Sequence, residues 1–169
     1  RAGRADAAAW GVMARLRFPM PLRWSDMDAY GHVNNVVFLR LLEDARVLAF
    51  HGHDSEDGGN MLDTGVLVAR HEIDYVAPLP WRPEPVSIDL WVTDIKGASF
   101  DMGYEVLDDD PDGGRPTVYA RAESTLVVYD LAEHRPRRMS EADRARLESW
   151  RGEPVDLRRR RLEQRRTQA

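Results

Sequence analysis

The strongest constraint on the fold is a change of hydrophobic period along the chain. Between Asn34 and Phe50 apolar residues recur at spacings of three and four, which predicts one long amphipathic helix. Its apolar face comprises Phe38, Leu41, Leu42, Ala45, Leu48 and Ala49. From Gly65 onward the period becomes two. The four alternating runs contain Leu67, Val86, Phe100 and Val118, and they predict antiparallel strands with one face toward water.

Two further elements flank this pattern. The run from Leu16 to Trp24 contains two prolines, which predicts an edge strand. Ser140 and Asp143 have capping-box spacing, which predicts a short helix from Glu141 to Trp150. A flat five-stranded sheet would cover only part of the long helix, so the sheet must curl around it or a partner subunit must help. We therefore predict an α+β fold with the sheet wrapped on a central helix and paired through an edge strand.

Charge is distributed unevenly along the 169 residues, a length that suits one domain. From Leu157 to the end there are six arginines and one glutamate, so the remainder carries a formal charge of −10. We predict a disordered leader at 1–14, a single domain at 15–152 and a basic, disordered tail at 153–169. The acidic body argues against nucleic-acid binding, and no apolar run reaches the roughly 18–20 residues that span a bilayer.

Several kinds of chemistry are excluded by missing residues or motifs. No cysteine is present, which excludes thiol catalysis and disulfides and fits the cytoplasmic location that we expect. The chain has no G-x-S-x-G elbow, P-loop or G-x-G-x-x-G motif. His51, His53 and Asp54 could ligate a metal, but a helix end also favours histidine electrostatically. We predict neither a metal nor a cofactor.

The segment before the long helix carries the most informative polar residues. Asp26 and Asp28 lie two apart, so only one of them is expected to face any given cavity, and Asn34 or Asn35 is a candidate helix N-cap. Turn formation would explain these residues by itself. However, two carboxylates, His32 and free helix N–H groups converge beside the most apolar element, which is the composition of a site that polarises a carbonyl.

The sequence around this segment resembles a known family. Residues 23–35, R-W-S-D-M-D-A-Y-G-H-V-N-N, followed by V-V-F-L-R-L-L-E-D-A-R, resemble the opening of hot-dog fold acyl-CoA thioesterases of the 4-hydroxybenzoyl-CoA thioesterase type. They are also similar to the corresponding segment of plant acyl-carrier-protein thioesterases. The likeness extends over residues 16–130. It implies a five-stranded antiparallel sheet around one helix, an acyl-CoA substrate and a homodimer or homotetramer, with neither nucleic acid nor membrane as a partner.

The resemblance also implies roles for particular residues. Asp28 matches the catalytic carboxylate, a nucleophile or a base for water, and His32 matches a catalytic or orienting histidine. The backbone N–H of Asn35 matches the donor to the thioester carbonyl. In the plant enzymes a catalytic asparagine stands where this chain has Tyr30, so their triad is incomplete here. Trp81 to Pro85 replaces a common Gly-Asp turn, which affects the local hairpin rather than the chemistry.

We expect the acyl chain to lie along the Phe38 and Leu42 face of the helix. The expected substrate-binding set is completed by Tyr30, Gly31, Lys96 and Ser99. Lys96 and Ser99 could touch the pantetheine or phosphates of coenzyme A, although a lone hairpin lysine is more often only solvated. The basic tail could also contribute to binding, but a solvated terminus explains it more simply.

Two alternatives remain open from the sequence. One is a non-catalytic protein of the same fold that binds acyl-CoA or acyl-carrier protein, because one fold hosts many functions. The other is a hot-dog dehydratase, whose arrangement of Asp and His the motif before the helix does not match. Release of free thiol from acyl-CoAs separates a thioesterase from both.

Overall fold

The computed structural model describes residues 15–51 and 65–167. The predicted leader at 1–14, and His53 and Asp54 of the weighed metal site, lie outside these residues. The elements in chain order are β1 Leu16–Met20, α1 Asn35–His51, β2 Val66–Tyr75, β3 Val86–Ile95, β4 Ser99–Asp108, β5 Thr117–Asp130, β6 Arg135–Pro136, α2 Glu141–Ser149 and α3 Arg158–Thr167.

The main sheet has five antiparallel strands in the order β1-β3-β4-β5-β2, and the two-residue β6 pairs with β5. β1 is an edge strand, as Pro19 and the following Pro21 predict, and β2 forms the opposite edge. The sheet packs against the single long helix α1. The predicted α+β hot-dog fold is confirmed, with the short β6 and the helix α3 as additions.

The core forms between α1 and the inner face of the sheet. Phe38, Leu41 and Leu42 on α1 are at most 3% exposed, and they pack with the alternating inward residues of β3, β4 and β5. The helical period explains this face, since these positions lie on one side of the helix. Leu48 was expected on the same face but is 46% exposed, because it lies at the edge of the stripe.

The C-terminal residues correct two expectations from the sequence. The outer face of the sheet is not uniformly wet, because Trp91 packs there against Val155 and Leu157. The Trp91 indole N–H also donates to the Glu153 carbonyl at 2.7 Å. Glycine at position 103 makes room, since a Cβ there would lie 2.5 Å from a Val155 methyl carbon. Residues 153–157 therefore pack on the sheet and residues 158–167 form α3, which corrects the expectation of a disordered tail.

The predicted short helix is present as α2. Its N-cap is Ser140, whose hydroxyl accepts the Asp143 N–H at 3.0 Å. Behind α2, the ring of Trp150 stacks on Phe50 with centroids 6.2 Å apart. None of the helices in the described ranges is long and apolar enough to cross a membrane.

Candidate active site at the N-terminus of the central helix

Asp26 and Asp28 have different environments although they are two residues apart. Asp26 is 5% exposed. Its Oδ2 accepts the Arg23 N–H at 2.8 Å and the Arg40 guanidinium at 2.9 Å, while its carbonyl accepts the Asn34 N–H at 2.8 Å. Asp26 thus ties the loop before α1 onto the helix. The expectation that only one of the two carboxylates faces a given cavity agrees with this arrangement.

Asp28 belongs to a tight turn. Its Oδ1 accepts the Tyr30 N–H at 2.8 Å and the His32 N–H at 3.3 Å, and its own N–H donates to the His32 carbonyl at 2.8 Å. Gly31 has φ of 79°, a value that glycine adopts without the strain of a side chain. Among residues 15–51 and 65–167, Asp28 Oδ2 has no hydrogen-bond partner. The turn therefore fixes one carboxylate oxygen and leaves the other available.

Asp28 lines a cavity of about 330 Å³ at the beginning of α1. His32, Asn35 and Phe38 line the same cavity, together with Val33 and residues 75–79. The Val33 N–H donates to the Leu79 carbonyl at 2.8 Å, and this bond holds the loop before α1 against residues 75–79. The structure thus brings together Asp28, His32 and Asn35, which the sequence proposes as catalytic.

The helix presents donors to this cavity. Asn34 is the cap: its side-chain oxygen accepts the Val36 N–H at 3.0 Å and its carbonyl accepts the Val37 N–H at 2.9 Å. The Asn35 N–H has no partner in the described parts of the chain. First-turn N–H groups and the helix dipole together favour a developing negative charge at this position. The cavity is therefore lined by a carboxylate and by the first residue of α1, at the positive end of the helix dipole.

Tyr75 was not predicted as a site residue, although it lines the cavity. Its hydroxyl donates to the Asn35 carbonyl at 3.0 Å, and its ring meets Phe38 edge to face with centroids 5.4 Å apart. Tyr75 is the last residue of β2 on the apolar side of the alternation, immediately before a proline-rich break. A large aromatic residue with a hydroxyl at the end of a strand was the sequence feature that could have indicated a site residue. Only the fold shows that this end of β2 meets α1.

Other predicted substrate-binding residues do not line the cavity. Tyr30 is 85% exposed, and Gly31 shapes the turn behind Asp28. Leu42 is 0% exposed, so it belongs to the core and offers no surface to a ligand in this chain.

Lys96 and Ser99 lie toward the other end of the sheet. Ser99 pairs with Val127 on β5, whereas Tyr75 pairs with Ala120 on the same strand, roughly 20 Å along it. The ammonium of Lys96 lies 3.6 Å from an Asp94 oxygen. Within one chain, these two residues cannot contact a ligand group held at Asp28.

His71 is a polar residue on the inner side of the sheet and does not line the cavity. Its Nδ1 lies 2.7 Å from the hydroxyl oxygen of Ser124. Burial lowers the pKa of His71, and nearby Arg46 lowers it further against an opposing effect of Glu43. His71 is exposed on the edge strand β2, so this contact satisfies one ring nitrogen of a surface histidine rather than of a core histidine. In the described ranges, no three or more His, Asp or Glu residues cluster as metal ligands would.

The five-stranded sheet packed on one long helix is a hot-dog fold, and the cavity lies at the N-terminus of that helix. The family model described as the Thioesterase-like superfamily matches residues 22–147 of the chain. The chain belongs to this superfamily and is a thioester hydrolase. No curated protein sequence matches the chain. Nothing in the comparisons bears on the similarity to plant acyl-carrier-protein thioesterases, which stays a prediction.

Solved structures agree with the family. A thioesterase from Thermus thermophilus, complexed with coenzyme A and Zn, is 30% identical with a TM-score of 0.63, and the match covers 82% of this chain and 95% of that one. YbaW from Escherichia coli, called a probable thioesterase, is 25% identical with a TM-score of 0.66, covering 79% and 97%. A predicted thioesterase from Bacillus stearothermophilus, 22% identical with a TM-score of 0.67 and coverage of 83% and 99%, shows the same fold.

Proposed function

We propose that the protein hydrolyses acyl-CoA thioesters to the free acid and coenzyme A, with Asp28 as the catalytic carboxylate. One observation carries this proposal: Asp28 and the N-terminal residue of α1 line the same cavity. A carbonyl held there would have a negative group on one side and a fixed dipole on the other. The Thermus relative supports coenzyme A as the thiol part of the substrate, since it is complexed with that molecule.

The thioester carbonyl oxygen accepts the Asn35 N–H, and the positive end of the α1 dipole stabilises the oxyanion as it develops. Asp28 Oδ2 either attacks the carbonyl carbon or removes a proton from the attacking water. In either route a C–O bond forms at the carbonyl carbon, the C–S bond breaks and the thiolate of coenzyme A leaves; its proton comes from the water that the reaction consumes. Attack by Asp28 itself gives an anhydride, which a water then hydrolyses.

His32 positions Asp28, because its backbone N–H and carbonyl both bond to that residue. The acyl group contacts Phe38 first, and the buried Leu42 is not required. Tyr30 and Gly31 shape the cavity mouth through the Asp28 turn. Each of these roles is part of the proposal.

The proposal includes a homodimer that forms through β2. This edge strand carries exposed apolar side chains, including Leu67 at 45% and Val68 at 40%, and an unpaired edge invites a second strand. Antiparallel pairing of two β2 strands would bring the partner's β3–β4 hairpin, with its Lys96 and Ser99, toward the end of β2 where the cavity lies. In that arrangement the two residues reach a coenzyme A bound in the other subunit.

The test is release of free thiol from a panel of acyl-CoAs by the native protein and two variants. Asp28→Asn keeps an oxygen that can accept the Tyr30 and His32 N–H groups, so the fold should persist. We expect kcat to fall about 10²–10⁴-fold, the usual contribution of a general base. Asp44→Asn is the matched control, because Asp44 lies on α1 outside the cavity, in a surface pair with Arg40 at 3.1 Å.

Near-native turnover by Asp28→Asn would refute the role of Asp28. Binding of acyl-CoA by the native protein without release of thiol would favour the non-catalytic alternative. Water addition to an enoyl-CoA without release of thiol would favour the dehydratase.

A further inference from the structure

The helix α3 lies outside the matched residues 22–147 and carries a positively charged groove. A surface concavity of about 310 Å³ is lined by Arg158, Arg161, Leu162 and Arg165. These positions recur at spacings of three and four, so their side chains share one face of the helix. The groove is therefore built from three guanidinium groups around one leucine.

The other face of α3 is fixed to the sheet by acidic residues. Arg160 contacts both carboxylate oxygens of Glu123 at 2.7 and 2.9 Å, and Glu123 is 2% exposed. Arg159 lies 3.2 Å from a Glu72 oxygen. Two arginines thus neutralise carboxylates of the sheet, which leaves the groove arginines pointing away from it.

The groove arginines are only partly neutralised within the described part of the chain. Arg161 lies 2.9 Å from an oxygen of Asp156, and both side chains of this pair are substantially exposed. The guanidinium groups of Arg158 and Arg165 have no carboxylate within 4 Å among residues 15–51 and 65–167. An exposed pair such as Arg161 with Asp156 contributes little, so a stronger anion can displace it. The groove consequently has charge available for an anionic ligand.

The groove starts close to the cavity of Asp28. The Arg158 backbone N–H donates to the carboxylate of Asp74 at 2.5 Å, and Asp74 precedes Tyr75, which lines the cavity. Side chains of successive strand residues point to opposite faces of a sheet. The groove and the cavity therefore lie on the two faces of the sheet at the same end of β2, where the chain leaves the edge.

We propose that Arg158, Arg161 and Arg165 bind the phosphate groups at the nucleotide end of the coenzyme A thioester. The inference rests on the proposed acyl-CoA substrate and deepens it. The pantetheine arm separates the thioester from the phosphates, so the phosphate site must lie away from the reacting carbonyl. Guanidinium groups pair with phosphate oxygens in bidentate geometry. Because residues 1–156 carry a formal charge of −10, a local basic groove is what allows this chain to hold a polyanion.

The test compares two thioesters of the same acyl group, one on coenzyme A and one on N-acetylcysteamine, which has no phosphate. The variant is Arg158→Gln with Arg161→Gln and Arg165→Gln. Its matched control, Arg115→Gln with Arg135→Gln and Arg138→Gln, removes the same charge from exposed positions elsewhere. We expect KM for the acyl-CoA to rise about tenfold in the groove variant, as the combined loss of three exposed charge contacts.

The kcat on acyl-CoA, and both constants on the N-acetylcysteamine thioester, should stay within about twofold of native in both variants. An unchanged KM for acyl-CoA, equal losses on the two thioesters, or the same effect in the control would overturn the proposal.

A calorimetric titration with coenzyme A itself separates this inference from the proposed function. If the native protein cleaves neither thioester, the proposed function fails and the titration decides about the groove. Binding that weakens about tenfold in the groove variant and not in the control supports the groove. Native protein that does not bind coenzyme A overturns it.

Discussion

Two adjacent arginines of α3 give a sharp prediction about how the C-terminal segment is held. Arg160 contacts Glu123, whose side chain is 3% exposed and also accepts the Thr93 hydroxyl at 2.9 Å. Arg159 contacts Glu72, and its own side chain is 53% exposed. Arg160→Gln and Arg159→Gln remove the same charge from successive residues of one helix. The two variants should nevertheless differ strongly in stability.

The expected difference follows from burial. Removing one partner of a buried ion pair costs about 3–5 kcal/mol, because the other charge stays buried without compensation. The Arg160 side chain is 29% exposed, so water can partly solvate Glu123 after the change. We therefore expect about 2–3 kcal/mol for Arg160→Gln, and a much smaller loss for Arg159→Gln because its pair is exposed to solvent. For a chain of this size, the loss in Arg160→Gln corresponds to a Tm decrease of about 5–10 °C, and the Tm of Arg159→Gln should stay close to native.

Thermal unfolding at neutral pH, followed by circular dichroism, measures both values. The double variant Arg160→Gln with Glu123→Gln supplies the check, since it removes the buried charge and keeps an acceptor for Thr93. Its Tm should lie above that of Arg160→Gln alone. Equal Tm decreases for the two single variants, or a double variant less stable than Arg160→Gln, would refute this explanation of how α3 is held.

Two further predictions concern the site and the inner face of the sheet. Asp26→Asn should lower the free energy of unfolding by about 1–2 kcal/mol, because it weakens a charge-assisted bond to Arg40, whereas Asp28→Asn should change it by less than about 0.5 kcal/mol. Chemical denaturation of both variants tests this, and similar losses would contradict the assignment of Asp26 to the loop and Asp28 to the cavity. The folded-state pKa of His71 is lowered by burial and by Arg46, so the unfolded chain binds the proton more readily and stability should fall as pH drops below 6.5. His71→Gln should therefore lose less Tm than the native protein between about pH 7.5 and about pH 5.5, and parallel Tm curves would argue against this linkage.

The hydrophobic period allowed most of the fold to be predicted. The helix spacing around Phe38, Leu41 and Ala45 and the alternation of the later strands are local properties, so they appear in the sequence without any knowledge of contacts. Pro19 and Pro21 likewise predicted that β1 is an edge strand. In the same way, capping residues predicted α2, because a cap needs only a hydroxyl three residues before the N–H that it accepts.

The C-terminal segment could not be predicted in this way. Residues 153–167 are rich in charge, and charge runs are usually solvated. Their order depends on partners distant in sequence, above all Trp91 for Val155 and Leu157, and Glu123 for Arg160. The cavity residue Tyr75 was missed for the same reason, since its contact with Asn35 joins two elements 40 residues apart.

The sequence by itself determined the five strands of the main sheet, the helices α1 and α2, the thioesterase family and the two aspartates before the helix. These follow from periodicity and from a local motif, which act over a few residues. Tertiary structure alone decided that Asp26 holds the loop while Asp28 lines the cavity, that Leu42 is core rather than pocket, and that the basic C-terminal residues form a helix fixed to the sheet. The physical reason is that burial and partner choice depend on what the fold brings close in space, which no local pattern contains.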